Sequence, residues 1–181
     1  YYGFVVLLAV TTTLEIDHQL PESLKFLHGG VYQGFSFAGD LAGVAFTAGM
    51  GWAIIRRYIQ RPYRIRIKTR PEHALILGVL FGLGISGFLA ESFRIALEGR
   101  PTYEQWSFIG YPLSAAFTGI ESLAGWHQIM WVGHVVFFMM FLIMLPITML
   151  RHMFTSPLNM YLKDRDRPKG AMRALPDLME A

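Results

Sequence analysis

Residues 125–154, GWHQIMWVGHVVFFMMFLIMLPITMLRHMF, are the longest apolar run in the chain and carry histidines at 127, 134 and 152. His134 and His152 lie eighteen positions apart. At about 100° and 1.5 Å per residue, eighteen helical steps close five turns and climb about 27 Å. An unbroken helix therefore presents both imidazoles on one face, one near each side of a hydrocarbon core about 30 Å thick. Two such histidines suit axial ligation of two stacked b-type haems. The plainer alternative is two unrelated histidines, one packed in a bundle and one at the interface. Pro146 lies between them, and a proline kink would turn one relative to the other.

Three further apolar segments precede this one: Tyr1–Leu14, about Val31–Tyr58 and about His73–Leu97. The chain of 181 residues is 53% hydrophobic and 16% charged, which predicts an all-α membrane protein built as a transmembrane helix bundle of four segments. Cysteine is absent, so the chain offers no disulfide, no thiolate zinc site and no cysteine-held iron–sulfur cluster. The sequence opens inside an apolar run without a methionine, and the first segment is expected to be a truncated transmembrane helix. Glycines recur in the second and third segments (Gly34, Gly39, Gly43, Gly78, Gly82, Gly84, Gly87), where they permit close approach of a helix or a flat macrocycle.

Charge is unevenly placed. The connection 56–70 holds Arg56, Arg57, Arg61, Arg64, Arg66, Lys68 and Arg70, and the tail adds Lys163, Arg165, Arg167, Lys169 and Arg173. The connections 15–30 and 98–124 carry one basic residue each, Lys25 and Arg100. Positive-inside bias then puts the arginine-rich connection and the C-terminus in the cytoplasm, with the aromatic stretch Trp106–Phe117 as an outer shelf on the membrane surface. The spans account for the basic run, so it is not read as a nucleic-acid site.

Candidates for chemistry follow from depth and residue type. His28, before Gly29-Gly30, is the candidate partner of His134 at an outer haem, or else a turn histidine. His127, about 10 Å from His134 along a helix, is too near for a separate haem and suits a hydrogen bond or a quinone contact. Arg151 could meet a haem propionate or a lipid phosphate. His18 and His73 read as interfacial. Asp40, Glu91 and Arg94 are ionisable groups within apolar segments and therefore functional candidates. Glu91 and Arg94, three apart, form either an internal ion pair or part of a quinone site in which Arg94 or His28 donates to a quinone oxygen and Glu91 or Asp40 relays the proton.

Several strings are distinctive: FLHGGVY (26–32), RRYIQRP (56–62), GFLAESFRIA (87–96), WSFIGY (106–111) and HMFTSPLN (152–159). Together they resemble the membrane domain of heterodisulfide reductase-related iron–sulfur oxidoreductases, which is similar to the gamma subunit of respiratory nitrate reductase, a five-helix haem b anchor. The resemblance implies a prokaryotic cytoplasmic-membrane electron carrier between a cytoplasmic iron–sulfur partner and the quinone pool, with one or two haems b. It implies that the partner ligand of His152 lies before residue 1, while the position matching a second family histidine is near Leu7. It further implies residues 1–155 as a cytochrome b-like domain, 156–181 as a tail or linker towards an iron–sulfur domain, and a donor such as electron-transfer flavoprotein. The rival functions are a non-redox scaffold subunit and a small proton-coupled transporter; no internal inverted repeat supports the latter.

Overall fold

The computed structural model describes residues 2–21 and 23–163. It is all-helical: α1 (Tyr2–Gln19), α2 (Gly30–Ile54) continued by a π-helical turn (Ile55–Gln60), α3 (Tyr63–Arg66), α4 (Pro71–Leu97), a 3₁₀ turn (Thr102–Trp106), α5 (Gly110–Ser114) and a 3₁₀ turn (Ala115–Phe117). α6 (Leu123–Ile147), a third 3₁₀ turn (Met149–Arg151) and α7 (His152–Tyr161) complete it. Two compact units divide the chain, one ending at Met144 and one beginning at Leu145. Among the described residues, three helical stretches are long and apolar enough to cross a membrane: Gly30–Gln60, Pro71–Leu97 and Leu123–Ile147. The molecule is an all-α membrane helix bundle. The tail beyond residue 163, with most of its basic residues, lies outside the described residues, as do the side chains of His18 and Arg66.

Within the first unit, helices meet where a side chain is missing. Between membrane helices, small residues let backbones approach and dispersion contacts accumulate. A Cβ placed on Gly43 would lie 2.8 Å from the Phe88 ring, and one on Gly82 would lie 2.6 Å from Phe137. A Cβ on Gly84 would collide with the Thr47 hydroxyl. These contacts join α2 to α4 and α4 to α6, while Phe4 packs on Phe46 and Phe141 with ring centroids 5.7 Å apart in each case. Gly34, Gly49 and Gly78 meet nothing within 4 Å. The glycines that matter are thus those facing a neighbouring helix. Trp52, Trp131, Val136 and Ile143 point outward, as lipid-facing side chains do.

The helix expected from Gly125 to Phe154, kinked at Pro146, is broken instead. α6 ends at Ile147, one residue after Pro146, and Thr148 is extended (φ −100°, ψ −173°). Proline has no N–H for the ladder and its ring crowds the carbonyl four residues back. The Thr148 hydroxyl then accepts from the Leu150 N–H at 3.2 Å and starts a new turn. His134 and His152 therefore belong to different helices, so the single continuous helix on which the five-turn spacing rests is not present. α7, in the second unit, exposes Phe154, Leu158, Met160 and Tyr161.

Gly82→Val should drive a methyl into Phe137 and lower stability by about 1–3 kcal/mol, as overpacking does. Gly78→Val, at an open position, should change the detergent-solubilised melting temperature far less. Equal melting temperatures for the two variants would contradict this account of helix packing.

Candidate functional site

Two helical faces build the polar part of the bundle. On α2, Tyr32, Ser36 and Asp40 recur every fourth residue and share one side. On α4, Glu91 and Arg94 do the same, followed by Glu98 just past the helix end, at spacings of three and four. The connection 102–110 folds down over both faces and supplies what buried polar groups require, namely partners. Asp40, 2% exposed, accepts from the backbone N–H groups of Ile109 (2.6 Å) and Gly110 (3.3 Å), where α5 begins. Ser107, fully buried, donates to Glu91 at 2.9 Å and shares a short hydrogen bond with Ser36. Gly110 is glycine for a reason of space, since a Cβ there would lie 2.9 Å from the Glu91 carboxyl carbon.

Nearer the end of the bundle stands Glu104, fully buried. Its Oε1 accepts from the Tyr32 hydroxyl (2.7 Å) and from Arg94 Nη1 (2.8 Å), and Arg94 also reaches Glu98 at 3.2 Å. Arg94 is thus the ionic partner of Glu104 and Glu98, while Glu91 takes the Ser107 hydroxyl. The internal Glu91–Arg94 pair, one of the two alternatives read from their spacing, does not form, and both groups take partners from the connection instead.

Beside this network opens a pocket of ≈ 390 Å³, lined by Leu27, His28, Gly29, Tyr32, Arg94, Glu98, Tyr103 and Glu104. The loop before α2 is pinned there by Asp17, whose Oδ1 accepts from Phe26 (2.8 Å) and Leu27 (3.1 Å). Gly29 turns the chain into α2 at φ 56°, a conformation that side chains oppose. The pocket lies at the end of α2 and α4 opposite the arginine-rich connection. The stretch Trp106–Phe117 is not simply a surface shelf. Ser107, Gly110 and Ser114 face inward and are buried, while Trp106 and Phe108 face out.

His134, on α6, packs against α4 below this network. Its Nδ1 is 3.0 Å from Ser86 Oγ, and that hydroxyl donates its own proton to the Leu83 carbonyl at 3.2 Å. With the hydroxyl donating to Leu83, it can accept from the imidazole Nδ1–H, an arrangement that leaves the Nε2 lone pair available. A Cβ on Gly87 would lie 3.2 Å from the ring, so the glycine accommodates it. His152, exposed on α7, is held the same way: its Nδ1 faces the Met149 carbonyl oxygen, which can only accept. A ring fixed through Nδ1 with Nε2 free is the usual arrangement of a metal-ligating histidine. The residues present therefore fit axial ligation of a haem. Ser86, against His134, stands about two turns below Arg94, so His28 is brought to Arg94 and not to His134. His127 is on the first turns of α6 and does not line the pocket. Arg151 is exposed beside His152, and His73 caps α4 by accepting from the Arg70 N–H at 3.1 Å. No three His, Cys, Asp or Glu side chains form a chelating group among the described residues.

The nitrate reductase gamma subunit family model matches residues 2–167. The chain belongs to the nitrate reductase gamma subunit family. It is 26% identical over 182 residues, 95% of its length, to the EtfAB:quinone oxidoreductase of Syntrophomonas wolfei subsp. wolfei (strain DSM 2245B / Goettingen), and covers 25% of that protein. It is 24% identical over 162 residues, 89% of its length, to the probable iron-sulfur-binding oxidoreductase FadF of Bacillus subtilis (strain 168), and covers 23% of it. The chain thus spans about a quarter of the length of these curated relatives. No solved structure matches it. The resemblance to heterodisulfide reductase-related oxidoreductases, read from short strings, agrees with both relatives.

In this gamma-subunit-family chain, sequence reasoning found Asp40, Glu91, Arg94 and His28 but missed Tyr32, Ser36, Glu104 and Ser107. The four-residue recurrence of Tyr32, Ser36 and Asp40 was a readable signal for a polar face. Glu104 and Ser107 had none, because only tertiary folding brings their loop inside.

Arg94→Gln should leave Glu104 buried without its cation and destabilise the protein by about 3–5 kcal/mol. Glu91→Gln keeps an acceptor for Ser107 and should fall within about 1 kcal/mol of wild type. Thermal unfolding of the two variants in detergent checks this ordering, and a reversed order would contradict the pairing.

Proposed function

We propose that the chain is the quinone-reactive haem b domain of a membrane-bound iron–sulfur oxidoreductase, carrying electrons between a cytoplasmic iron–sulfur partner and the quinone pool. The observation that carries this reading is His134: an imidazole inside a membrane span, fixed through Nδ1 by Ser86, with Nε2 left to bind iron. His152 has the same fixation on α7 and is the second haem ligand, its partner supplied from outside this sequence. When bound, haem supplies reversible one-electron storage at the Nε2 atoms of these histidines.

His28 is better suited to the pocket than to iron, because it stands with Arg94 rather than His134. An open slot with apolar Leu27 and Tyr103, a guanidinium and an imidazole fits a quinone ring, whose two carbonyl oxygens need donors. Arg94 and His28 orient those oxygens. Glu91 remains a proton carrier one turn further in, whereas Asp40 serves as the anchor of α5. The charge asymmetry supports a cytoplasmic arginine-rich connection and C-terminus, which puts the pocket at the outer surface. The name of the Syntrophomonas relative supports electron-transfer flavoprotein as the donor, and the name of the Bacillus relative supports an iron–sulfur partner or domain.

Reduced-minus-oxidised absorption of the purified full-length protein tests this directly. Wild type should show a haem b α-band that develops on adding a quinol. His134→Ala should lose at least one haem, and Ser86→Ala should keep the ligand yet weaken haem retention about 10–100-fold. Full haem content in His134→Ala would refute the assignment.

A further inference from the structure

We propose that Tyr32 and Glu104 form a proton relay at this pocket, through which the hydroxyl of a bound hydroquinone ring exchanges its proton. The proposal rests on the quinone reading of the pocket and adds to it the path the proton takes.

Glu104 is fully buried, although its side chain forms part of the pocket wall. Two pocket groups touch it, Tyr32 and Arg94, both on Oε1. Arg94 does not give up a proton in proteins, so it cannot carry one to the carboxylate. Tyr32 can, because its phenol oxygen both donates and accepts. The Tyr32 ring is half-buried and held edge-on against Tyr103, with centroids 6.0 Å apart, and both rings line the pocket. Glu104 also differs from a simple brace. A carboxylate whose task was only to tie Tyr32 to Arg94 would be satisfied on both oxygens, yet its Oε2 is buried with no partner among the described residues. That oxygen leaves the group with unused capacity for a proton. Glu98 also lines the pocket, but its side chain is 40% exposed and needs no intermediary to meet water.

The transfer balances as follows. The ring O–H bond breaks as its proton reaches the Tyr32 phenol oxygen, and the proton already on Tyr32 passes across the 2.7 Å hydrogen bond to Glu104 Oε1. Tyr32 is neutral before and after, Glu104 goes from carboxylate to carboxylic acid, and the ring is left as the hydroquinone anion, so charge is conserved with no change of oxidation state. Arg94 stays charged and holds both the ring oxygen and Glu104. Reprotonation of the ring runs the same steps backwards. Tyr32 is the catalytic residue here, and Glu104 is a positioning and proton-holding residue that acts through it.

Tyr32→Phe removes one hydroxyl and leaves the Arg94–Glu104 pair in place. In the full-length purified protein, equilibrium binding of menadione and the steady-state oxidation of menadiol in H₂O and D₂O would be measured. The expected result is menadione affinity within about twofold of wild type, with kcat lowered about 10²-fold, the scale of a lost acid–base group, and an altered solvent isotope effect. Glu104→Gln, which keeps the hydrogen bonds but takes no proton, should show the same kcat loss at unchanged KM. Glu104→Asp should recover part of it, and Glu121→Gln, at an exposed carboxylate outside the pocket, should leave both constants near wild type. A Tyr32→Phe protein that binds menadione and turns over menadiol at the wild-type rate would overturn the relay, as would a variant whose only defect is weaker binding. Failure of the wild-type protein to bind menadione at all would instead overturn the quinone reading on which the relay stands.

Discussion

Carboxylates buried between apolar helices must find hydrogen-bond donors, and this requirement organises the bundle. Asp40, Glu91 and Glu104 each accept from a group on a different element. Two of them draw the connection 102–110 into the groove between α2 and α4, and the third, itself on that connection, is gripped from both helices. An unpaired charge at this depth would be costly, so the loop cannot leave without three carboxylates losing partners together. The pocket owes its shape to the same contacts. Tyr32 and Arg94, which form its wall, are held by Glu104, and His28 is presented by a loop that Asp17 pins.

The apolar packing underneath is of a different kind. It has little hydrophobic driving force in a lipid environment and depends instead on close approach at Gly43, Gly82, Gly84 and Gly87. Gly87 has a second consequence, since it leaves room for the His134 ring, which Ser86 on the same helix orients. Neighbouring residues of α4 thus set the position and the orientation of the histidine that the electron-transfer reading depends on.

Much of the fold was legible in the sequence because hydropathy reports membrane helices well. The segments read as Val31–Tyr58 and His73–Leu97 match α2 with its π turn and α4 to within a few residues. The last segment was misjudged because Pro146 and Thr148 end α6, where a kink within one helix was expected. The spacing argument that linked His134 to His152 therefore fails, although each histidine separately has the hydrogen bonding of a ligand. The site was half legible. Ionisable residues in apolar runs stand out in any sequence, which is how Asp40, Glu91 and Arg94 were found. Glu104 and Ser107 lie in a polar-looking connection whose sequence gives no sign that it folds inward. The Glu91–Arg94 pair looked plausible at a spacing of three, yet the tertiary partners Ser107 and Glu104 took both groups.

The central claim is that a quinone ring binds between the start of α2 and the end of α4. Photoaffinity labelling with an azido-quinone, followed by mass spectrometry of the cross-linked peptides, tests it most directly. The account predicts label within residues 27–32 and 94–104, displaced by excess unlabelled quinone. Displaceable label confined to the arginine-rich connection 56–70, at the opposite end of the same helices, would contradict it.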